Sequence, residues 1–193
     1  MLISVRRVAT ALVALIVVTS VSNRIPAQQD SGPRFEGKTT LLRPTGYREW
    51  VFVGSSLGLR YDPTAEEKPN PRPERYHNVY INPASYREFS KTGKFPDGTM
   101  MVLELASSAE KKEPGLQGSF QDKFIALEAS VKDSSRFEEG WAYFSFDDKD
   151  GRLKSKATPF PKTACWACHD KKAETDFVFT QFYPVLREIA PKK

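Results

Sequence analysis

The sequence is poor in residues that bind metal ions through sulfur or imidazole, because its 193 residues include only two cysteines and two histidines. A structural zinc site at the cysteines would need further ligands, and His77 is the only histidine outside the motif that contains them. Long apolar runs are absent after the N-terminal segment, so nothing later is expected to span a membrane. Acidic and basic residues are interspersed, and the formal net charge of +5 therefore gives no sign of nucleic-acid binding.

The N-terminus has the pattern of a secretory signal peptide. Two arginines precede an apolar run over residues 8–18, and small residues follow, so cleavage is expected after Ser22 or as late as Ala27. An uncleaved membrane anchor is the alternative, although the run is short for a full bilayer crossing. We therefore expect residues 1–22 to be a signal peptide and the protein to be exported to the periplasm.

The two cysteines lie in a C-x-x-C-H motif, Cys165-Trp166-Ala167-Cys168-His169. This motif is typical of covalent c-type haem attachment. Two thiols about one helical turn apart can add to the two vinyl groups of one porphyrin, and the histidine that follows can bind the iron as its proximal ligand. The sequence therefore predicts one covalent haem c, attached at Cys165 and Cys168 and ligated by His169.

Other uses of the two cysteines are not excluded by the motif alone. Exported proteins commonly form disulfides, but a disulfide would leave the adjacent His169 without a role. A thioredoxin-like redox pair is expected at the start of a helix in a βαβ unit near the beginning of a domain. This motif lies near the C-terminus and lacks that context, so haem attachment is the favoured interpretation.

The rest of the chain shows short strand patterns separated by turn signals, with no internal repeat. It predicts an α+β fold, in which an antiparallel sheet carries the haem and short helices lie at its ends. The predicted strands cover residues 50–53, 77–81, 99–106, 122–131 and 141–146. We divide the chain after the signal peptide into a linker and N-terminal segment, 23–45, and a haem domain, 46–193. The polar stretch 28–37 is expected to be the linker itself.

The helices and the longest loop are predicted from capping and proline signals. Asn82 and Pro83 suit the N-cap and first position of a helix that Gly93 is placed to end. A second short helix is expected to carry the haem motif, and a last one should cover about residues 180–189. Residues 62–75 contain four prolines and predict an extended surface loop.

Several long segments of the sequence resemble the cytochrome P-460 family. They follow the family's order from about residue 47 to the C-terminus and comprise YREWV from Tyr47, NVYI from Asn78, residues 86–99 ending in TGKFPDGT, LEASVKD from Leu127, and FTQFYPVL from Phe179. The resemblance implies a β-rich, usually homodimeric periplasmic protein with a five-coordinate c-type haem. It also implies one of two functions. In one branch a lysine cross-links to the porphyrin and the enzyme oxidises hydroxylamine; the other, cytochrome c′-β, lacks the cross-link and binds small gases such as nitric oxide.

Two positions matched to the family bear on the choice between these branches. Leu103 precedes a Glu-Leu pair where the catalytic branch has its cross-linking lysine, and leucine has no amine with which to form that bond. Lys111 and Lys112 are expected beyond this strand, so neither substitutes for the lysine. Glu128 matches the distal carboxylate that moves protons in the catalytic branch. Without the resemblance, a solvated strand face is the favoured interpretation of Glu128. The resemblance reverses that preference, and in a haem pocket the pKa of Glu128 would rise and it could act as a base near neutrality.

A sixth protein ligand to the iron would change the expected function from ligand binding to electron transfer. The candidates are Met100, Met101 and His77. The two methionines lie in an apolar strand, where methionine is more often a packing residue. His77 begins a strand and is expected to be a surface or hydrogen-bonded residue, although a distal polar role is also conceivable. We therefore expect an open sixth position.

The leading hypothesis is a periplasmic mono-haem protein that binds nitric oxide or another small neutral ligand and exchanges electrons with a redox partner protein. One alternative is a hydroxylamine-oxidising enzyme that uses Glu128 as proton acceptor. The other is a six-coordinate electron carrier. Leu103 separates the first two hypotheses, and a methionine ligand would separate the first from the third.

Overall fold

A computed structural model describes residues 32–59 and 74–189 of the chain. The strands in these residues are β1 (Phe35–Glu36), β2 (Thr40–Leu42), β3 (Val51–Leu57), β4 (Arg75–Ile81), β5 (Met100–Glu113), β6 (Leu116–Lys132), β7 (Trp141–Ser145) and β8 (Lys156–Ala157). The helices are α1 (Pro83–Thr92), α2 (Cys165–Lys172) and α3 (Pro184–Arg187), with 3₁₀ turns at Tyr47–Glu49 and Thr180–Phe182. Of the helices in the described ranges, none has the length and apolar character needed to cross a bilayer.

The strands form two antiparallel sheets. The larger has the order β3-β4-β5-β6-β7, so each strand pairs with its neighbour in sequence, and the smaller has the order β1-β2-β8. The small sheet joins distant parts of the chain, since Leu41 pairs with Ala157. Mostly antiparallel sheet with a few short helices is the α+β architecture predicted from the sequence, and the cysteine motif lies on a short helix as expected.

The two faces of the larger sheet bury different cores, because alternate residues of a strand point to opposite sides. One face packs against the C-terminal segment through Val53, Val79, Ile81, Met101, Trp141, Tyr143, Val178, Phe179 and Leu186. The opposite face packs with the small sheet through Leu41, Met100, Val102, Leu127, Ala129, Val131, Phe144, Phe146 and Ala157. We call these the site face and the closed face.

Helix α1 has the predicted ends. Asn82 is its N-cap and Gly93 ends it in a left-handed conformation, with φ of 68°. The Asn82 side chain does not cap the helix; its Oδ1 accepts a hydrogen bond from the Met100 amide at 2.8 Å and its Nδ2 donates to the Gly98 carbonyl at 3.3 Å. Asn82 therefore ties the start of α1 to the start of β5. Phe89 of the helix stacks on Phe95, with ring centroids 4.1 Å apart.

The β5–β6 hairpin is much longer than predicted. The two strands continue past the end of β4, which last pairs at Arg75 with Ser107, and pair with each other as far as Glu113 and Leu116. The prediction failed because the outer part of the hairpin carries charges and glycine and shows no alternation of apolar residues. Backbone pairing in a hairpin does not require that alternation. Lys111 and Lys112 consequently lie on β5, not beyond it, and both are exposed.

Two further predictions about the ends of the domain were wrong. The helix expected over residues 180–189 is divided into the 3₁₀ turn and α3, because a residue that precedes proline disfavours helical backbone and Tyr183 is extended before Pro184. Part of the expected linker 28–37 forms β1, since it can pair with β2. The predicted signal peptide, and the proline-rich loop over residues 62–75 except for its last two residues, lie outside the described residues.

The segment that contains α3 packs closely on the sheet at Gly54. A Cβ atom at Gly54 would lie 3.2 Å from Pro184 Cδ, tighter than an ordinary van der Waals contact. Glycine therefore lets the C-terminal segment approach β3, and this segment closes one side of the cavity in the site face.

Candidate functional site

A cavity with an empty volume of about 770 Å³, including its open mouth, lies between the site face and the C-terminal segment. Its apolar wall includes Val79, Met101, Leu103, Phe160, Val178 and Phe179. Its polar groups come from Glu128, Ser130, Tyr143, Tyr183 and the cysteine motif.

All three candidate site residues of the motif, Cys165, Cys168 and His169, line this cavity. Helix α2 begins at Cys165, so Cys168 and His169 lie about one turn further along the same helix. Both cysteines are partly buried, and they form no disulfide with each other. Burial raises the pKa of the Cys165 thiol, with a smaller contribution from the negative charge of Glu128. The thiols therefore face an apolar cavity and are available to a bound group.

His169 is held in one orientation by its surroundings. Its Nδ1 lies 2.7 Å from the Phe177 carbonyl oxygen, and its ring packs against Tyr143 and Phe179 at centroid distances of 4.3 and 4.5 Å. A carbonyl can only accept a hydrogen bond, so Nδ1 carries the proton and Nε2 keeps its lone pair. Burial lowers the pKa of His169, which favours the neutral ring. A neutral imidazole with a free Nε2 is the form that binds a metal.

Leu103 and Glu128 are direct neighbours across the sheet. Leu103 of β5 pairs with Val79 on one side and with Glu128 of β6 on the other, and Glu128 pairs in turn with Ser145. The row crosses the site face, and Val79, Leu103 and Glu128 line the cavity. The structure thus brings together the two residues on which the choice of function depends.

Glu128 is a carboxylate with a perturbed pKa. Burial raises the pKa from its ordinary value of 4.5 to about 6, and the nearby charge of Asp147 adds to the shift. Asp147 is itself fixed on the adjoining turn, where its Oδ1 accepts a hydrogen bond from the Leu127 amide at 2.9 Å. In the part of the chain that the structure describes, no basic side chain pairs with Glu128. Its proton can therefore be gained or lost near neutral pH.

The other sequence candidates are distributed differently. Met100 lies in the closed face, so its sulfur is on the wrong side of the sheet, whereas Met101 lines the cavity. His77 of β4 is partly buried and its pKa is lowered mainly by that burial, but it is not among the residues around this cavity. Lys111 and Lys112 lie far along the hairpin and form ion pairs with Glu113 and Glu110.

The cavity residues that were not identified as site residues from the sequence include Ser130, Tyr143 and Phe177. Ser130 and Tyr143 line the cavity as direct cross-strand neighbours, and the Phe177 carbonyl orients His169. Strand alternation places Ser130 on the face of Glu128, which was a usable signal. Phe177 had no such signal, because its role depends on a backbone conformation.

The donor set and the cavity shape fit haem. The cavity offers two thiols spaced for two vinyl groups, a neutral imidazole with Nε2 free, and an apolar wall that can cover a porphyrin. Across the described residues, no three histidine, cysteine or acidic side chains come together as a metal-ion site would require, so a zinc site has no support there. The fold and the site therefore define a haem-binding protein.

The comparison with protein families identifies the particular group. A family model described as Cytochrome P-460 matches residues 44–180, which is well over half of the chain. The chain therefore belongs to the cytochrome P-460 family, as the sequence segments indicated, and is a haem-binding cytochrome. A comparison with curated proteins gave no match.

Proposed function

We propose that this protein is a periplasmic mono-haem c-type cytochrome that binds nitric oxide or another small neutral ligand. Cys165 and Cys168 would hold the porphyrin covalently, and His169 would bind the iron through Nε2. The haem, when bound, supplies an open coordination position for the ligand. The predicted signal peptide supports export, and N-terminal sequencing of the mature protein from a periplasmic fraction would test it.

The observation that carries the proposal is the absence of an amine from the cavity wall. Among the described residues that line the cavity there is no lysine, and Leu103 occupies the position matched to the cross-linking lysine of the catalytic branch. Leu103 cannot form a bond to the porphyrin. It instead contributes apolar surface, which favours an uncharged diatomic ligand over water or an anion.

Glu128 strengthens the preference for a neutral ligand. Above about pH 6 its carboxylate is ionised and would repel anions from the apolar cavity, whereas a neutral gas is unaffected. We expect the affinity of the ferric protein for azide to fall as pH rises through about 6. Binding of nitric oxide to the ferrous protein should not change over the same range. Glu128→Gln should remove the step in azide affinity.

The proposal is tested by titrating the ferrous holoprotein with nitric oxide and recording its absorption spectrum. We expect a saturable spectral change with one ligand per haem. Leu103→Phe should slow or weaken binding by about fivefold or more, since overpacking a cavity wall typically costs about 1–3 kcal/mol. Leu153→Phe, an exposed position outside the cavity, is the matched control and should bind as the wild type does. A spectrum indifferent to the gas would contradict the proposal.

A second candidate function is hydroxylamine oxidation on an unmodified haem. The observation that favours it is the raised pKa of Glu128, because a carboxylate that titrates near pH 6 can accept a proton from the substrate. A steady-state assay with hydroxylamine and an artificial electron acceptor decides the question. Turnover above that of free haem, lost in Glu128→Gln, would support the enzyme; no turnover would remove it.

A third candidate is a six-coordinate electron carrier, favoured by the position of Met101 in the cavity wall. If Met101 binds the iron, Met101→Leu should convert a low-spin spectrum into a high-spin one. Under our proposal Met101 is a packing residue, and the substitution should leave the spin state unchanged. Met100→Leu, on the closed face, is the control.

We also propose two kinds of protein partner. A redox partner protein would return the haem to the ferrous state between reactions. A second copy of this chain would cover the outer part of the β5–β6 hairpin, which exposes Leu116 and Phe120 by 62% and 47%. A two-stranded ribbon is at best marginally stable by itself in water. Analytical ultracentrifugation should show a dimer that Leu116→Lys with Phe120→Lys dissociates, while Leu153→Lys does not; a monomeric wild type would contradict this.

A further inference from the structure

The backbone after α2 has an unusual conformation at Asp176 and Phe177. Their φ angles are 46° and 62°, and they are the non-glycine residues in the described part of the chain that have positive φ. Two consecutive side-chain-bearing residues in the left-handed region are strained and persist only where the surroundings hold them. The position is significant because the Phe177 carbonyl is the hydrogen-bond partner of His169 Nδ1.

Two side chains, Lys132 and Trp141, hold this turn through the Asp176 carboxylate. Lys132 Nζ donates to Asp176 Oδ2 at 2.6 Å, and Trp141 Nε1 donates to Asp176 Oδ1 at 3.2 Å. Lys132 Nζ also donates to the Phe95 carbonyl at 2.8 Å. The ion pair is mostly shielded, with the side chains of Lys132 and Asp176 exposed by 20% and 29%. We call Lys132, Asp176 and Trp141 the clasp.

The clasp connects the larger sheet to the Phe177 carbonyl. Lys132 ends β6 and is the direct cross-strand partner of Trp141, which begins β7 and is almost fully buried. Asp176 is adjacent in sequence to Phe177, so fixing the carboxylate restricts the direction of the next carbonyl. The Phe177 ring also packs against Trp166 of the cysteine motif, with centroids 5.3 Å apart. The turn is therefore fixed on both sides of the His169 hydrogen bond.

We propose that the clasp is a positioning device that sets the strength of the hydrogen bond from His169 to the Phe177 carbonyl, and through it the reduction potential of the haem. This inference rests on the proposed role of His169 as the iron ligand. A strong hydrogen bond from the distant ring nitrogen makes a histidine ligand more basic, and a more basic ligand favours ferric iron. The clasp thus lowers the potential and strengthens the iron–histidine bond.

The test uses the holoprotein and measures two quantities, the reduction potential and the iron–histidine stretching frequency of the ferrous form. Asp176→Asn keeps a residue type that tolerates left-handed backbone and removes the charge that Lys132 binds. Lys132→Met removes the other charge. We expect both to raise the potential and lower the stretching frequency, and we expect Lys132→Arg to restore most of each change.

A matched control separates the clasp from a general loss of stability. Lys156→Met removes a different lysine–carboxylate pair, to Glu36 on the small sheet, and should leave both quantities unchanged. If Lys132→Met folds poorly, Trp141→Phe keeps an aromatic ring and removes only the donor to Asp176. Clasp variants that lower the melting temperature without changing the potential or the frequency would overturn this inference and leave the assignment of His169 intact. A wild type without an iron–histidine band would overturn both the inference and the assignment of His169.

Discussion

Each face of the five-stranded sheet carries a carboxylate, and only one of the two has a basic partner in the ranges that the structure describes. Glu104 is 3% exposed on the side of the sheet opposite the cavity and is neutralised by Arg48, whose Nη2 and Nε donate to Glu104 Oε2 at 2.6 and 2.9 Å, while the Tyr47 hydroxyl donates to the same oxygen. Glu128 on the site face has no such partner among the described residues and is raised in pKa. One charge is thus satisfied as part of the structure, and the other is left to titrate.

The difference shows how one sheet can provide both stability and a site. The closed face fills its space with side chains that include Val131, Phe144 and Phe146, all fully buried. The site face keeps a cavity, an unpaired carboxylate and a strained turn, each of which costs stability. Perturbed carboxylates of this kind are concentrated at functional sites. Substitutions on the two faces should therefore separate stability from haem chemistry.

The largest effect is expected at the cysteine motif. Cys165→Ser combined with Cys168→Ser should abolish covalent haem, since each thioether bond needs one cysteine sulfur and the double variant has neither. Haem staining after denaturing electrophoresis measures this directly. Ala167→Ser, between the two cysteines, is the control and should stain normally. Covalent haem in the double variant would show that the attachment lies elsewhere.

Core truncation should distinguish the two faces next. Phe146→Ala on the closed face should lower the free energy of unfolding by about 3–5 kcal/mol, because it opens a cavity in a fully buried cluster. The haem spectrum should not change. Leu103→Ala should cost less, because Leu103 is only partly buried and already borders a cavity, yet it should alter ligand binding. If Phe146→Ala changed gas binding while Leu103→Ala caused the larger loss of stability in denaturant titrations, the distinction between the faces would be invalid.

A pH-dependent effect of about 2 kcal/mol is expected at Glu128, since each pKa unit corresponds to about 1.4 kcal/mol. Its pKa in the folded protein lies above 4.5, so protonation favours the folded state, and this stability is lost as pH rises through about 6. The Glu128→Gln side chain stays neutral at every pH. The free energy of unfolding of this variant, relative to that of the wild type, should therefore rise by about 2 kcal/mol between about pH 4 and pH 8.

Asp147→Asn tests the cause of that shift. Removing the neighbouring charge should reproduce a smaller part of the Glu128→Gln effect, because burial is the larger cause. Denaturant titrations of the holoprotein at the two pH values provide the measurement. A difference that does not vary with pH would show that Glu128 is not perturbed.

A loss of stability without a change at the haem site is expected where Glu104 loses its counter-ion. Arg48→Met should cost roughly 1–2 kcal/mol, since it leaves a buried carboxylate with only the Tyr47 hydroxyl as hydrogen-bond donor. Glu104→Gln should cost less stability than Arg48→Met, because the glutamine is uncharged and needs no counter-ion when buried. Neither should affect the haem spectrum, and a spectral change would show that the faces are coupled.

The central strands and the motif helix were predictable because their signals are local. Strand alternation and the cap at Asn82 need no knowledge of distant residues. The small sheet was missed because it depends on pairing across more than a hundred residues, as between Leu41 and Ala157. The outer β5–β6 hairpin was missed because its pairing is set by backbone register, and its side chains have no apolar alternation.

The site was predictable in part for the same reason. The motif identified Cys165, Cys168 and His169 as candidates, and the family resemblance indicated Leu103 and Glu128. The clasp could not be predicted from the sequence, since neither Asp176 nor Phe177 is a glycine and nothing local indicates positive φ. Met101 lies two residues before Leu103, so strand alternation places both on one face, and both line the cavity.

The absorption spectrum of the purified protein without added ligand tests the central claim most directly, in the oxidised and ferrous forms. An uncross-linked haem with an open sixth position predicts a high-spin spectrum of ordinary c-type shape. A low-spin spectrum would contradict the open site and point to Met101 or another side chain on the iron. A strongly red-shifted ferrous Soret band would contradict the role given to Leu103, because it would require a cross-link to the porphyrin.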